Sequence, residues 1–392
     1  MRVRLICISI ILTCSLSGCA LYDKVASLVP DEMIELDSEK LDEKQSSEMN
    51  MYVVNHVSTW PEYAYSQLDN TNKSIYDEIY YALLNRTKVS LSTTDMSLIK
   101  DVFECVMLDH PDIYYVDGYT TSTYSSKNVV TRIELEPAIS MSELEAQSYQ
   151  QAIDEYVRKW KSGITELMTQ YEIVKYTYEF IIEHTTYRLE APNNQNICSV
   201  FCNGYSVCQG YAKAFQYLMH EAGIWCTLVT GSTVDGIGHA WNMVKIEGGY
   251  YHVDVTWGDS FYQVVSESSV TKLPSINYDY LCTTTQDLMA QHIIDAPIAM
   301  PVADSVTYNY FVREGMYITE VSDAKMREVF VNFGAGTNVV SIKCASREIY
   351  NVLYSELIEK NKLFNYILND NLVSFTTNER GLVLTFWTIK EN

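Results

Sequence analysis

The sequence predicts an α+β fold, and three observations support this prediction. Apolar residues recur at helical spacing in several long segments, which is typical of amphipathic helices. Runs rich in Tyr, Thr and Val between turn residues are typical of strands, and the chain contains 31 Tyr. Two such runs flank a Glu-Gly-Gly turn at residues 247–249, which favours an antiparallel hairpin. We therefore expect a helix packed on an antiparallel sheet in the centre of the chain.

The charge balance excludes one class of partner. The 392 residues include 28 Lys and Arg against 50 Asp and Glu, which gives a net charge of −22. Such a charge repels phosphate backbones, so we do not expect nucleic acid to bind. Apolar residues make up 47% of the chain, enough to build two or three domains of about 150 residues each. No stretch reaches the roughly 18 apolar residues that a membrane-spanning helix needs.

Residues 1–18 are predicted to be a lipoprotein signal peptide. Two arginines precede an apolar run at residues 5–16, which is too short to span a bilayer but suits an export signal. The run ends in Leu-Ser-Gly-Cys at residues 16–19, which resembles the lipobox of bacterial lipoproteins. The resemblance implies that Cys19 is lipidated and anchors the protein on the extracytoplasmic face of a bacterial cell membrane. The alternative is an ordinary signal peptide whose cysteine is incidental.

Composition and periodicity divide the remaining chain into four segments. These are an acidic flexible tether at 19–55, an N-terminal mixed α/β domain at 56–162, a central domain at 163–302 and a small C-terminal α+β domain at 303–392. Expected helices lie around 75–83, 96–107, 142–160, 322–333 and 347–368. Expected strands lie within 113–135 and at 339–344. Turns are expected at Asp117-Gly118 and at Lys127-Asn128.

The segment around Cys208 predicts a helix with a reactive thiol at its start. Apolar residues at 211, 212, 215, 218, 219 and 222 mark one helical face, and Gly223 ends it. Ser206 and Gln209 have the spacing of a capping box, which would place Cys208 in the first turn. The free backbone N–H groups and the helix dipole there favour a thiolate. The alternative is a buried structural cysteine.

The hairpin after this helix brings an imidazole and a carboxylate to one face. With Glu247-Gly248 as its central residues, the opposed positions sum to 495, so that Asp254 faces Trp241 and lies diagonally from His239. Diagonal neighbours on one face lie about 7–8 Å apart at the backbone, within reach of a side-chain hydrogen bond. A Gly248-Gly249 turn would keep the face but move the two residues further apart along the strands.

Together these segments resemble the transglutaminase-like superfamily, which shares the papain-like catalytic arrangement. The resemblance covers residues 170–295 and rests on the run at 207–215, on Gly-His-Ala-Trp-Asn at 238–242 and on Tyr-His-Val-Asp-Val-Thr-Trp-Gly-Asp at 251–259. It implies a papain/transglutaminase-like core, with the nucleophile helix packed on the antiparallel sheet and flanked by the N- and C-terminal units. The surrounding layout is similar to that of bacterial surface lipoproteins with such domains.

The resemblance also implies a role for each residue of the site. Cys208 would be the nucleophile, His239 the general base and then acid, and Asp254 the residue that orients the imidazole. Tyr187 would supply an oxyanion donor or simply pack, and Trp241 would wall the site or belong to the core. The glutamine that papain-like peptidases carry six residues before the nucleophile is replaced by Cys202. We interpret His252, which faces Met243 in this register, as structural.

These roles predict acyl transfer on peptide or protein amides through a thioester, with water giving a peptidase and an amine giving a crosslinker. Expected partners are a peptide or protein substrate, cell-wall peptides among them, and the membrane through the lipid anchor. No cofactor and no metal are expected. The alternative function is a catalytically inactive surface binding or adhesion module that keeps the fold.

Six further cysteines would remain in the exported chain: Cys105, Cys198, Cys202, Cys226, Cys282 and Cys344. Disulfides are permitted outside the cell, but six cysteines allow 15 connectivities, and the sequence does not choose among them. One hypothesis is a reversible Cys202–Cys208 bond that silences the nucleophile.

Overall fold

The computed structural model describes residues 5–6, 12–13, 60–127, 129–259, 276–333, 338–367 and 372–389. The tether at 19–55, the proposed lipidation site Cys19 and most of the signal peptide lie outside the described residues. Among the helices within these ranges, none is both long and apolar enough to cross a bilayer.

The N-terminal part combines three helices with an antiparallel sheet. The elements are α1 (Tyr63–Gln67), α2 (Asn70–Asn85), α3 (Met96–Asp109), β1 (Leu5–Ile6), β2 (Leu12–Thr13), β3 (Val89–Leu91), β4 (Val116–Ser126) and β5 (Val129–Ile139). The strand order is β1-β4-β5-β3, and β2 also pairs with β4. The two helices expected here are confirmed, and the side chains of Asp69 and Asp95 cap their N-termini.

One expected turn in this part is wrong. Asp117 and Gly118 do not end a strand but lie inside β4, where the pairing with β5 shifts register between Val116 and Gly118. A Gly in a strand pattern is as compatible with such a bulge as with a turn. The other expected turn, at Lys127-Asn128, is the hairpin turn between β4 and β5: it follows Ser126, and Lys127 lies in the left-handed region at φ 50°.

Two capped helices join this part to the central one. Helix α4 (Glu143–Lys161) begins after Ser142, which forms a capping box with Glu145, and α5 (Gln170–His184) begins after Thr169 with the same arrangement. Both helices bury apolar residues, among them Trp160 and Tyr178, in one cluster with the central helix and sheet. They therefore fix the position of the central helix from one side.

The central part is an antiparallel sheet with a buried helix on it. Its elements are β6 (Thr186–Tyr187), a π-helix (Ser199–Asn203), β7 (Tyr205–Ser206), α6 (Cys208–Glu221), β8 (Cys226–Thr233), β9 (Gly238–Ile246), β10 (Gly249–Val253), α7 (Val255–Gly258), β11 (Leu281–Thr283), α8 (Thr285–Leu288) and β12 (His292–Ile294). The sheet order is β11-β10-β9-β8-β12. The pairs Ile246↔Gly249 and Met243↔His252 confirm the expected hairpin register.

Helix α6 is buried on all sides rather than on one face, because every residue from Cys208 to His220 is buried. Its apolar residues face the sheet and the α4–α5 cluster. Its polar residues are covered by the N-terminal part: the Gln216 amide donates to the Leu108 carbonyl at 2.8 Å. On the sheet side, Asn242 donates to the carbonyl of Ala212 at 2.9 Å. The nucleophile helix is therefore held between two parts of the chain.

The C-terminal part combines three α-helices with a four-stranded sheet, counting the described residues. It consists of α9 (Tyr310–Arg313), β13 (Tyr317–Ile318), α10 (Asp323–Phe330), β14 (Val339–Cys344), α11 (Arg347–Tyr354), a π-turn (Ser355–Glu359), a 3-10 turn (Lys362–Asn365), β15 (Leu372–Asn378) and β16 (Val383–Ile389), in strand order β13-β14-β16-β15. The single helix expected over 347–368 is wrong, because Asn361 adopts a left-handed conformation that ends the helical run.

Candidate active site

Cys208 is the first residue of α6, but the expected cap is wrong. Val207 occupies the N-cap position, and no side chain caps the helix. The Ser206 hydroxyl instead lies 2.6 Å from the Ser199 hydroxyl and donates to the Asn194 carbonyl. The first backbone N–H groups of a helix have no partner within it. Those of the first turn are therefore not taken by a capping side chain and can face an anion beside the Cys208 sulfur.

Gly210 allows the loop before the helix to pack against this first turn. A Cβ at Gly210 would lie 2.0 Å from the Ser206 hydroxyl oxygen, 2.6 Å from that of Ser199 and 2.8 Å from the Asn194 carbonyl oxygen. Gly210→Ala should therefore lower the free energy of unfolding by about 1–3 kcal/mol, measured by urea denaturation. Removing both serine hydroxyls in the Gly210→Ala background should recover part of this loss. Equal stability of wild type and Gly210→Ala would contradict the close approach of the loop to the helix.

His239 lies between Cys208 and Asp254. Its Nε2 is 2.7 Å from Oδ2 of Asp254, and the ring also makes a hydrogen bond with the Cys208 thiol. Since Nε2 is engaged by the carboxylate, Nδ1 is the nitrogen left for the sulfur. All three side chains are buried. The structure therefore brings together the three residues to which the sequence assigns the roles of thiol, imidazole and carboxylate.

Asp254 reaches His239 from a different element than expected. Strand β10 ends at Val253, and Asp254 is the N-cap of the short helix α7. Its Oδ1 accepts the backbone N–H of Trp257 at 3.0 Å, which leaves Oδ2 for the imidazole. The predicted strand position of Asp254 is wrong, because Asp is a favoured N-cap residue and here caps the four-residue helix that follows it. The cap fixes the orientation of the carboxylate.

The charged forms of His239 and Asp254 stabilise each other. Burial disfavours the charged imidazole, but Asp254 and the Cys208 thiol raise the pKa of His239 to about 10. Burial would raise the pKa of Asp254, but His239 and His292 together hold it well below its ordinary value of 3.8. The imidazolium is therefore the favoured form of His239 at neutral pH, and Asp254 is its counterion.

His292 is a residue of the site that the sequence did not reveal as such. Its Nε2 lies 2.9 Å from the same Oδ2 of Asp254 that His239 contacts, and both partners are fully buried. Its Nδ1 has no hydrogen-bond partner among the described residues. A sequence signal for His292 would require the pairing of β12 with β8, which joins residues about 60 apart in the chain. No local pattern contains that information.

The side chains of His239, Asp254 and His292 lie close enough together to be compared with a metal site. His239, Asp254 and His292 offer ligand atoms that all lie within 4.8 Å of one another. In a tetrahedral zinc site with bonds of about 2.0–2.1 Å, neighbouring ligand atoms lie about 3.3 Å apart. The two nitrogen–oxygen distances of 2.7 and 2.9 Å are shorter and have the length of charge-assisted hydrogen bonds. The residues as arranged therefore fit a hydrogen-bonded network better than a metal site.

Aromatic rings enclose this network. Trp257 lies 4.4 Å from the His292 ring and 5.8 Å from the His239 ring, measured between centroids, and Trp241 lies 5.9 Å from His239. Trp241 is fully buried and donates to Nδ1 of His252 at 3.2 Å. The pKa of His252 is lowered to about 3 by burial and by His292, so this ring is neutral and serves as a packing residue.

Tyr187 approaches the site from β6. It lies opposite Ser206 in the parallel β6–β7 pair, two residues before the nucleophile. Burial and the proximity of Cys208 and Asp254 raise the pKa of Tyr187 to about 12, so its hydroxyl remains protonated and can donate a hydrogen bond. Its backbone N–H bonds to the Asp259 carboxylate, which holds β6 against the C-terminal end of α7.

The seven cysteines of the described residues are all free thiols. The thiol of Cys202 hydrogen-bonds with that of Cys198, four residues earlier, so Cys202 has a thiol partner other than Cys208. This contact lowers the pKa of the Cys202 thiol and, together with burial, raises that of Cys198. The geometry therefore gives no support to a Cys202–Cys208 bond.

Comparison with known proteins finds a family match within this core. Residues 158–255 match the model of the transglutaminase-like superfamily. The chain is 30% identical over 122 residues to the kyphoscoliosis peptidase of Mus musculus, covering 25% of this chain and 18% of that protein. The Homo sapiens kyphoscoliosis peptidase is 28% identical over 130 residues, with 27% and 20% covered. The matched segments thus span about a fifth of the length of these relatives.

Solved structures give more distant likenesses. A TGase crystal structure is 12% identical, with a TM-score of 0.27 and coverage of 47% of this chain and 53% of that chain. A putative cysteine protease from Cytophaga hutchinsonii is 13% identical, with a TM-score of 0.24 and coverage of 35% and 61%. The family match and the observed helices and antiparallel sheet confirm the predicted α+β, transglutaminase-like core.

Proposed function

We propose that this chain, which carries a transglutaminase-like domain at residues 158–255, is a thiol-dependent acyl-transfer enzyme acting on peptide or protein amides. The observation that carries the proposal is the continuous chain of hydrogen bonds from the Cys208 thiol through His239 to Asp254 at the start of a helix. A nucleophile, a base and an orienting carboxylate in this order are the three parts of nucleophilic acyl transfer.

The reaction begins from the form in which the thiol proton of Cys208 has already passed to His239, and Asp254 stabilises the resulting imidazolium. The thiolate attacks the carbonyl carbon of the amide, and the resulting oxyanion accepts hydrogen bonds from backbone N–H groups of the first turn of α6. Tyr187, which lies opposite Ser206 in the β6–β7 pair, would add a hydroxyl donor. His239 then protonates the leaving amine, the C–N bond breaks, and a thioester remains on Cys208. Water releases an acid, and an amine releases a new amide.

The proposal extends to location. The lipobox-like sequence at residues 16–19 supports a lipid anchor on Cys19. The acidic segment at 19–55 would then hold the catalytic domain away from the membrane surface. Extracytoplasmic peptides and proteins, cell-wall peptides among them, are the substrates within reach of such an anchored enzyme. Globomycin sensitivity of the processing of the expressed precursor, with mass spectrometry of the mature N-terminus, tests this part.

Alkylation by iodoacetamide near neutral pH tests the nucleophile. Cys208 should react faster than a model thiol, and His239→Ala should slow it on the order of tenfold or more, because the imidazolium and helix terminus stabilise the thiolate. His184→Ala is the matched control, since this imidazole contacts Lys159 and the Phe180 carbonyl and not the site. EDTA should leave the rate unchanged.

If Cys208 reacts no faster than the model thiol and His239→Ala has no effect, the enzyme proposal is wrong. The remaining function is then a surface binding module. Incubation with a glutamine-containing peptide and a labelled amine then separates the two acyl acceptors. Incorporation of the label indicates crosslinking, and release of free acid indicates hydrolysis.

A further inference from the structure

A cavity of about 310 Å³ lies beside the nucleophile helix, at the junction of the N-terminal and central parts. Its volume is at the lower end of the range for small-ligand sites. The walls come from α3, the start of β4, the loop at residues 193–196, one side of α6 and β8. Its lining includes Phe103, Met107, Leu108, Val116, Gln209 and Leu228.

The cavity lies next to the first turn of α6. Gln209, which lines it, directly follows Cys208, and the carbonyl of Asn194, which also lines it, accepts the Ser206 hydroxyl at 3.3 Å. The absence of a side chain at Gly210 keeps this loop pressed against the helix. Because Gln209 follows Cys208 directly, a ligand group in contact with Gln209 lies within a few extended residues, each about 3.3 Å long, of the amide that Cys208 attacks.

The lining points to the chemistry of the ligand. The floor is apolar, with Phe103, Val116 and Leu228 buried beneath it. Gln209 is nearly completely buried, and its Oε1 has no hydrogen-bond partner among the described residues. An unpaired buried amide oxygen is unfavourable, and a ligand N–H would satisfy it. Glu104, Asp117 and Lys213 also line the cavity, so charges of both signs surround it and neither sign of ligand charge is favoured alone.

We propose that this cavity binds a substrate segment with an uncharged, apolar side chain two or three residues from the amide that Cys208 attacks, with a peptide N–H donating to Gln209. This inference rests on the proposed acyl transfer, because it assigns the cavity to the substrate of that reaction. It makes the N-terminal part a determinant of substrate choice, since α3 and β4 build much of the wall.

Peptide binding to Cys208→Ala tests the cavity without the chemistry. The probes are capped peptides of Gly and Ala with a single Leu at each position in turn, and affinity is measured by calorimetry. The best Leu peptide should bind on the order of tenfold more tightly than the all-Gly/Ala peptide, and Met107→Trp should remove this difference by filling the cavity. Met96→Trp is the matched control, because Met96 is a half-buried residue of the same helix that does not line the cavity.

Equal affinity of all peptides, or a Leu preference that survives Met107→Trp, would overturn the proposal. Alkylation of Cys208 in the wild-type protein separates this outcome from failure of the proposed function. A fast-reacting Cys208 with no Leu preference removes the cavity assignment alone, whereas a slow-reacting Cys208 removes the enzyme proposal. Gln209→Ala should weaken binding of the Leu peptide and of the all-Gly/Ala peptide by similar factors, because it removes the backbone contact and not the apolar floor.

Discussion

Asp254→Asn is expected to lower kcat by about 10³-fold even though Asn has nearly the same shape. Three N–H groups converge on this carboxylate: the backbone N–H of Trp257 on Oδ1, and the rings of His239 and His292 on Oδ2. An amide has a single acceptor oxygen, so it can cap α7 or accept from the imidazoles but cannot do both. The Asp254→Asn substitution also removes the counterion of the His239 imidazolium.

A matched control separates this effect from loss of stability. Asp109 is also buried and also accepts three hydrogen bonds, from the backbone N–H groups of Ala64 and Tyr65 and from the hydroxyl of Tyr76. Asp109→Asn and Asp254→Asn should both lower the free energy of unfolding by about 1–3 kcal/mol. Only Asp254→Asn should lower kcat. An Asp254→Asn enzyme with near-normal kcat would show that the carboxylate is structural.

The Asp254 variant should also have a characteristic pH dependence of stability. The pKa of Asp254 is lowered from 3.8, so its contribution is present above that pH and is lost as the pH falls below it. The pKa of His239 is raised from 6.5 to about 10, so its contribution is complete below 6.5 and is lost as the pH rises towards 10. The stability difference between wild type and Asp254→Asn should therefore be largest between about pH 4 and 6.5, measured by urea denaturation.

The sequence predicts best those parts of the site whose partners are close along the chain. The hairpin register follows from a Gly turn and from side-chain alternation, so the pairing of Met243 with His252 is predicted correctly. The same local reasoning places Cys208 in the first helical turn but predicts the wrong cap. Ser206 has the right spacing to Gln209 for a capping box, but its hydroxyl bonds to Ser199 and the Asn194 carbonyl instead.

Contacts between distant segments account for what the sequence does not predict. The polar residues of α6 favour a solvent-exposed helix side, but residues of the N-terminal part such as Leu108 cover it. His292 comes to Asp254 only because β12 pairs with β8, and Gly231 allows that pairing, since a Cβ there would lie 2.0 Å from the Ile293 carbonyl oxygen. Neither contact leaves a periodic or spacing signal in one segment.

His292→Phe is expected to lower kcat by about 10²-fold, the effect of a misplaced catalytic group. His292 does not touch Cys208; it donates to the carboxylate oxygen that orients His239 and so acts as a positioning residue. Its Nε2 donates to Oδ2 of Asp254, while its Nδ1 is buried without a hydrogen-bond partner among the described residues. Phenylalanine fills the same space but donates nothing, so the Asp254 carboxylate is free to turn away from His239.

Two comparisons distinguish positioning from packing. His252→Phe is the matched control, because His252 is a buried imidazole on another strand of the same sheet that bonds to Trp241 and Thr285 and not to Asp254. Both variants should lose stability to a similar extent, while His292→Phe alone should show a large fall in kcat with KM little changed. His292→Gln, whose amide can donate to Asp254, should recover part of kcat.

A double variant of Asp254 and His292 tests most directly whether the two residues act together. If His292 acts only through Asp254, the double variant Asp254→Asn/His292→Phe should be no slower than Asp254→Asn alone, because the contact that His292 supports is already lost. Full additivity of the two losses in kcat would mean that His292 affects the reaction by another route. Equal losses in kcat for His252→Phe and His292→Phe would assign both histidines to packing.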